Sequence, residues 1–436
     1  MATTTASVAP KASQAVPKSS TTLPVAEAAT RLSSSPRTLP RAYLDPSGYL
    51  HSPSFHKSTT FTPTSCTFET HTVSYAVVGS LLPSSPVLIW LNGLGGHRLA
   101  GLLLDGICAE KGIRLLALDR PSSGTSTPVA VSHRVQTSHE ALLAVLDHER
   151  ITTFSLLSHS NGVIYAIYTL LNLPAHLTVK SWTLSSPFVP PSLSGSVPLS
   201  LARYIPQSLT VRVGGLVAGL QKLEMPLSWS SGAARGLGGW SSGIMVEGTS
   251  AVIRASESES EGGERRPPPA KGSPEAQYDR FVRTNAQRAP HRRLHAGRSH
   301  PAGLFSMGMA VAIEEGLGAM GQEALVTLRV GDGKYWGWGE EEGGDERGLY
   351  ERGFTELKHA LAERGNAVEL SVWYGKDDGM IPSKGREYLR GLLVDRLKLV
   401  EAERWTEMEG VGHDEGLQLE VVMDMLLERV IRAHRL

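Results

Sequence analysis

Three side chains able to share nucleophilic chemistry lie far apart in a chain of 436 residues: Ser160, Asp378 and His413. Ser160 sits in Ser158-His159-Ser160-Asn161-Gly162, behind the apolar and β-branched run 151–157 and ahead of the apolar run 163–168. That order reads as strand, sharp turn and helix. Such a turn lifts one hydroxyl clear of a sheet and aims it at the N-terminus of the following helix. Bulky side chains two places before or after the nucleophile would collide with the turn. Ser160 meets that condition, with Ser158 before it and Gly162 after it, whereas Ser158 would have Leu156 two places before. The pentapeptide departs from Gly-x-Ser-x-Gly at its first position, and an ordinary serine-rich turn would look the same.

A serine hydroxyl is a weak nucleophile at neutral pH and needs a base within hydrogen-bond reach. His413 is the candidate base, in the glycine-bracketed loop Glu409-Gly410-Val411-Gly412-His413-Asp414. An acid then has to fix the imidazole tautomer. Asp378 stands in a turn after the apolar run 368–374, in Gly375-Lys376-Asp377-Asp378-Gly379-Met380-Ile381-Pro382, where Asp377 is its rival. A third loop, Asn92-Gly93-Leu94-Gly95-Gly96, follows the apolar run 86–91.

The elements that must hold these groups alternate. Strands are expected at 86–91, 113–118, 151–157, 180–187 and 368–374, with a further strand near 405. Helices are expected through 109, over 133–146 and 163–168, around 350–363, over 383–393 and over 417–430. The segments 64–69 and 73–79 read as a hairpin, and 302–325 as one helix. Continuous apolar strands between helices imply a mostly parallel sheet buried on both faces. The fold class is therefore α/β.

Taken in order, Ser160, Asp378 and His413 resemble the serine-nucleophile branch of the α/β-hydrolase superfamily. The likeness covers about 65–190 and 350–436. It rests on Asp119-Arg120-Pro121-x-x-Gly124-x-Ser126, the Ser160 turn, Gly375-x-x-Asp378-x-x-Ile381-Pro382 and Gly412-His413. Asn92 where His is frequent, Ser158 for Gly and Val163 for Gly are the departures. The stretch 190–349 is similar to that of capped fungal-type hydrolases, which transfers no substrate. The resemblance implies a mostly parallel central sheet flanked by helices with a large cap insertion, no cofactor and no metal. It assigns nucleophile, acid and base to Ser160, Asp378 and His413, and oxyanion donors to the backbone N–H groups of Leu94 and Asn161. Asn92, Gly93, His159, Trp336 and Trp338 are pocket candidates. The expected activity is cleavage of an ester or related acyl bond through an acyl-enzyme, on a small apolar acyl-type substrate. An acyltransferase using the same three residues, or a non-catalytic hydrolase-fold binding protein, are the alternatives. Serine in place of aspartate argues against epoxide hydrolysis.

Composition bounds the rest. Net charge is zero and 41% of residues are apolar, so a sizeable core is available and no overall field points to nucleic acid. Two cysteines, Cys66 and Cys108, make neither a disulfide framework nor a thiolate metal site. No apolar run reaches the roughly 20 residues of a membrane span. Gly93-x-Gly95-x-x-Arg98 lacks the third glycine of a dinucleotide loop, and no His-Glu-x-x-His helix occurs. The expected organisation is a disordered tail over 1–50, a first core half over 51–189, a cap over 190–349 with a mobile loop at about 255–275, and a second core half over 350–436. A cytoplasmic location is expected, with organelle targeting by the Ser- and Arg-bearing tail as the alternative.

Overall fold

The computed structural model describes residues 39–66, 69–212, 270, 272–316, 319–338, 345–365 and 368–435. Eight strands form one sheet: β1 (Lys57–Phe61), β2 (His71–Gly79), β3 (Val87–Leu91), β4 (Arg114–Leu118), β5 (Thr153–His159), β6 (Thr178–Ser185), β7 (Glu369–Gly375) and β8 (Trp405–Met408). Their spatial order is β1-β2-β4-β3-β5-β6-β7-β8. β2 runs antiparallel to both neighbours, and every other pairing is parallel.

Among the described residues, the helices of eight residues or more are α1 (Leu102–Glu110), α2 (Arg134–His148), α3 (Gly162–Leu171), α4 (Pro274–Ala286), α5 (Ala302–Glu315), α6 (Ala319–Leu328), α7 (Glu346–Glu363), α8 (Ser383–Arg390) and α9 (Glu420–Arg435). They cover both faces of the sheet. On one side Val145, Ile164, Phe354 and Leu389 from α2, α3, α7 and α8 pack on Ile89, Leu156 and Leu184. On the other, Leu104, Leu304 and Leu427 from α1, α5 and α9 pack on Leu88, Leu115 and Leu157. Double coverage explains why β3 and β4 read as apolar runs rather than alternating ones. Each such Leu or Ile contributes roughly 1.5–3 kcal/mol by leaving water.

Several boundaries differ from expectation. The first strand is β1, seven to eight residues upstream of the expected hairpin arm at 64–69. Lys-Ser-Thr-Thr-Phe is an edge strand with one face in solvent, so it carries little apolar signal. The expected helix over 302–325 is two, α5 and α6, because Gly316 leaves α5 at φ 114°, a conformation open to glycine. The expected tail over 1–50 ends early, since 41–44 and 46–50 are helical and bury Ala42, Tyr43 and Leu50. The loop expected at 255–275 falls, apart from 270 and 272–275, outside the described residues. No helix among them is long and apolar enough to cross a membrane.

Candidate active site

Ser160 stands where β5 gives way to α3, at φ 50°. A non-glycine residue in that region costs about 1–3 kcal/mol and persists only where its surroundings over-determine it. They do so here: Ser160 N–H donates to Ser185 O at 3.0 Å, and Phe188 N–H donates to Ser160 O at 3.0 Å. Gly162 is required for a steric reason, because a Cβ there would lie 2.2 Å from Leu91 O and 2.9 Å from Asn92 O. Ser158 fits where glycine is usual because its hydroxyl has a partner, Trp182 Nε1, at 2.9 Å.

His413 Nε2 lies 2.9 Å from Ser160 Oγ, and its Nδ1 lies 2.8 Å from Asp378 Oδ2. A carboxylate only accepts, so Nδ1 carries the proton toward Asp378 and, in the neutral ring, Nε2 accepts from Ser160. Asp378 Oδ1 takes the Met380 and Ile381 N–H groups at 2.9 and 2.8 Å, which locks the carboxyl. Ser186 Oγ donates to His413 O at 2.9 Å and holds that loop against the end of β6. Asp378 is buried and Asp377 is exposed. Burial pulls the His413 imidazole down, but the Asp378 carboxylate, with a smaller push from Asp414, outweighs it and carries the pKa up to about 9.

The loop after β3 runs beside Ser160. A Cβ on Gly93 would come within 3.3 Å of Ser160 Cβ and 3.0 Å of His159 Cδ2. Leu94 is 41% exposed at the tip of that loop. Asn92 is buried, with Nδ2 donating to His97 O at 3.4 Å. Asn161 begins α3 without capping it; its amide donates to Thr327 Oγ1 of α6 at 3.0 Å. His159 is buried, bonded to Asp414 Oδ1 at 2.9 Å, and its ring centre lies 5.2 Å from that of His413. The three loops thus meet at the C-terminal edge of the parallel strands, around one serine hydroxyl. The chain has the α/β-hydrolase fold.

No protein-family model matches the sequence, and no curated protein does. Similar solved structures include a putative lipase from Acinetobacter baumannii, 13% identical, covering 92% of this chain and 99% of the other at a TM-score of 0.47. A thermophilic esterase from Thermogutta terrifontis is 12% identical, with 87% and 98% covered and a TM-score of 0.44. An epoxide hydrolase from Vigna radiata is 13% identical, with 88% and 99% covered and a TM-score of 0.43. At such identities these likenesses bear on neither reaction nor substrate.

Trp336 and Trp338, named as pocket candidates, are packed into the core. They are 0% and 5% exposed, lie in the apolar cluster with Tyr350 and Phe354, and donate to Val326 O and Leu349 O. As large apolar side chains of the β6–β7 connection, they anchor it to the core.

Among the described residues, two clusters bring potential metal donors within 4.8 Å: His159, His413 and Asp414, and His97, Asp119 and Glu315. In the second, Arg98 donates to both Asp119 and Glu315 at 2.6 Å, so a cation would meet a fixed positive charge. In the first, His413 is engaged by Ser160 and Asp378.

Sequence reading missed one group altogether. Arg120, Arg134 and Glu323 form a buried ion cluster directly behind the 92–96 loop. A lone acid in the otherwise apolar stretch of α6 was the available signal.

Proposed function

We propose that this protein is a serine hydrolase cleaving an ester or related acyl bond of a small apolar acyl substrate. The observation that carries the reading is the unbroken chain Ser160 Oγ, His413, Asp378, at 2.9 and 2.8 Å, beside a loop of backbone donors. In this account Ser160 Oγ attacks the acyl carbonyl as neutral His413 takes its proton through Nε2. Asp378 stabilises the imidazolium that forms and keeps its own charge. The oxyanion is met by the N–H groups of Leu94 and Asn161. Among the described residues, neither N–H donates to a backbone carbonyl outside a helix or strand. Each donor is worth about 3 kcal/mol of barrier. His413 then passes its proton to the leaving group. A water, deprotonated by the same imidazole, releases the acyl group from Ser160. His159 and the 92–96 loop line the approach, and the β6–β7 connection serves as the cap.

The test is turnover of p-nitrophenyl acetate and butyrate by the purified protein. Hydrolysis above background that is lost in Ser160→Ala supports the reading. Equal turnover by Ser160→Ala contradicts it.

A further inference from the structure

Glu323 is fully buried on α6, 189 to 228 positions from the donors its carboxylate meets. Its Oε1 receives Arg120 Nε at 2.5 Å and Arg134 Nη2 at 3.1 Å; its Oε2 receives Arg120 Nη2 at 2.7 Å and Gly95 N–H at 3.2 Å. Four donors fill the acceptor positions of a carboxylate. Arg120 has further bonds, to Asn92 O at 2.9 Å and to Gly93 O, and its guanidinium lies 4.4 Å over the Tyr165 ring.

A buried ion cluster of this kind is weak evidence of stabilisation, since desolvation offsets most of the attraction. Its geometry does something else. In a trans peptide the C=O and the next N–H point in opposite directions. With Gly93 O turned to Arg120, the N–H of Leu94 must point the other way. Gly93 itself lies beside Ser160, since a Cβ on it would come within 3.3 Å of Ser160 Cβ. The same helix, one turn on, presents Thr327, whose hydroxyl accepts from Asn161 and donates to Glu323 O at 2.7 Å. One helix of the β6–β7 connection thus touches Asn161 directly and the loop that carries Leu94 at the next residue, Gly95.

We propose that α6 is the positioning element of the oxyanion hole: Glu323, through Arg120, aims the Leu94 N–H, and Thr327 steadies Asn161. This rests on the hydrolase reading above. Glu323 touches no reacting atom and acts through the loop. Movement of α6 away from the core therefore switches off stabilisation of the oxyanion, not merely access to the site. Met320, on the first turn of α6, packs against the same loop: a Cβ on Gly95 would come within 2.4 Å of its Cε.

The test compares Glu323→Gln and Thr327→Val with the native protein. Turnover of p-nitrophenyl butyrate, inhibition by an aryl trifluoromethyl ketone, and amide hydrogen exchange over 92–96 are measured. Expected for Glu323→Gln is a ten- to hundredfold fall in kcat with KM within threefold, a matching loss of ketone affinity, and faster exchange in the loop. Thr327→Val, which buries no unpaired charge and so guards against a folding failure, is expected to lower kcat three- to tenfold. Unchanged kcat in both variants, or a rise in KM alone, overturns the proposal. A native protein without any turnover defeats the hydrolase reading instead. The exchange measurement then still decides the positioning, since an unchanged loop in Glu323→Gln overturns it and a loosened one supports it.

Discussion

Trp182 Nε1 donates to Ser158 Oγ across the β5–β6 pair at 2.9 Å, and both residues are fully buried. The serine that breaks the usual glycine pattern is therefore half of a buried hydrogen bond, two residues from Ser160. Removing it leaves an indole N–H unpaired in the core, which costs about 1–3 kcal/mol. Ser158→Ala is expected to lower the urea midpoint accordingly while kcat stays within a few-fold of native. Loss of activity without loss of stability would show that the hydroxyl serves the chemistry.

The pH profile follows from His413. The imidazole must be neutral to take the Ser160 proton, and its pKa lies at about 9. The rate is thus expected to rise with pH through a midpoint near that value. Asp414 contributes to the upward push, so Asp414→Asn is expected to move the midpoint down, by roughly 0.5–1 unit. The same raised pKa favours the folded state below the ordinary histidine value of 6.5 and ceases to do so as pH climbs through 9. A kcat/KM profile of both proteins checks this; a midpoint that stays put or rises in Asp414→Asn contradicts it.

Acid acts elsewhere. Glu315, at the end of α5, has its pKa lowered from 4.5 to about 2: burial raises it, but hydrogen bonds from His97 and Arg98 outweigh that. A carboxyl depressed in the folded state stabilises above its unfolded pKa and loses that contribution as pH falls through the folded one. Stability is expected to decline between pH 4.5 and 2 as this link between α5 and the core is lost. Glu315→Gln should lower the urea midpoint at neutral pH and flatten that decline. An acid limb identical to native would show that other carboxylates control it.

The sheet and the Ser160, Asp378 and His413 loops were legible because each depends on local signals: apolar runs covered on both faces, small residues at turns, and an acid and a histidine closing successive strands. β1 was not, since an edge strand needs apolar side chains on only one face. Trp336 and Trp338 suited a pocket wall and a core anchor alike, and only the folded chain shows them buried. Glu323 stood out only as a lone acid, and what it and Thr327 bind was hidden for another reason. Their partners, Arg120 and Asn161, lie 203 and 166 positions away, and only the folded chain brings them together.

The central claim is that Ser160 is a nucleophile activated by His413. Labelling with a fluorophosphonate at neutral and alkaline pH, with the adduct located by peptide mass, tests it most directly. The account predicts one adduct, on Ser160, absent from Ser160→Ala, much slower to form in His413→Ala and Asp378→Asn, and faster to form as pH rises toward 9. A folded native protein that takes no label, or takes it at the same rate without His413, would contradict it.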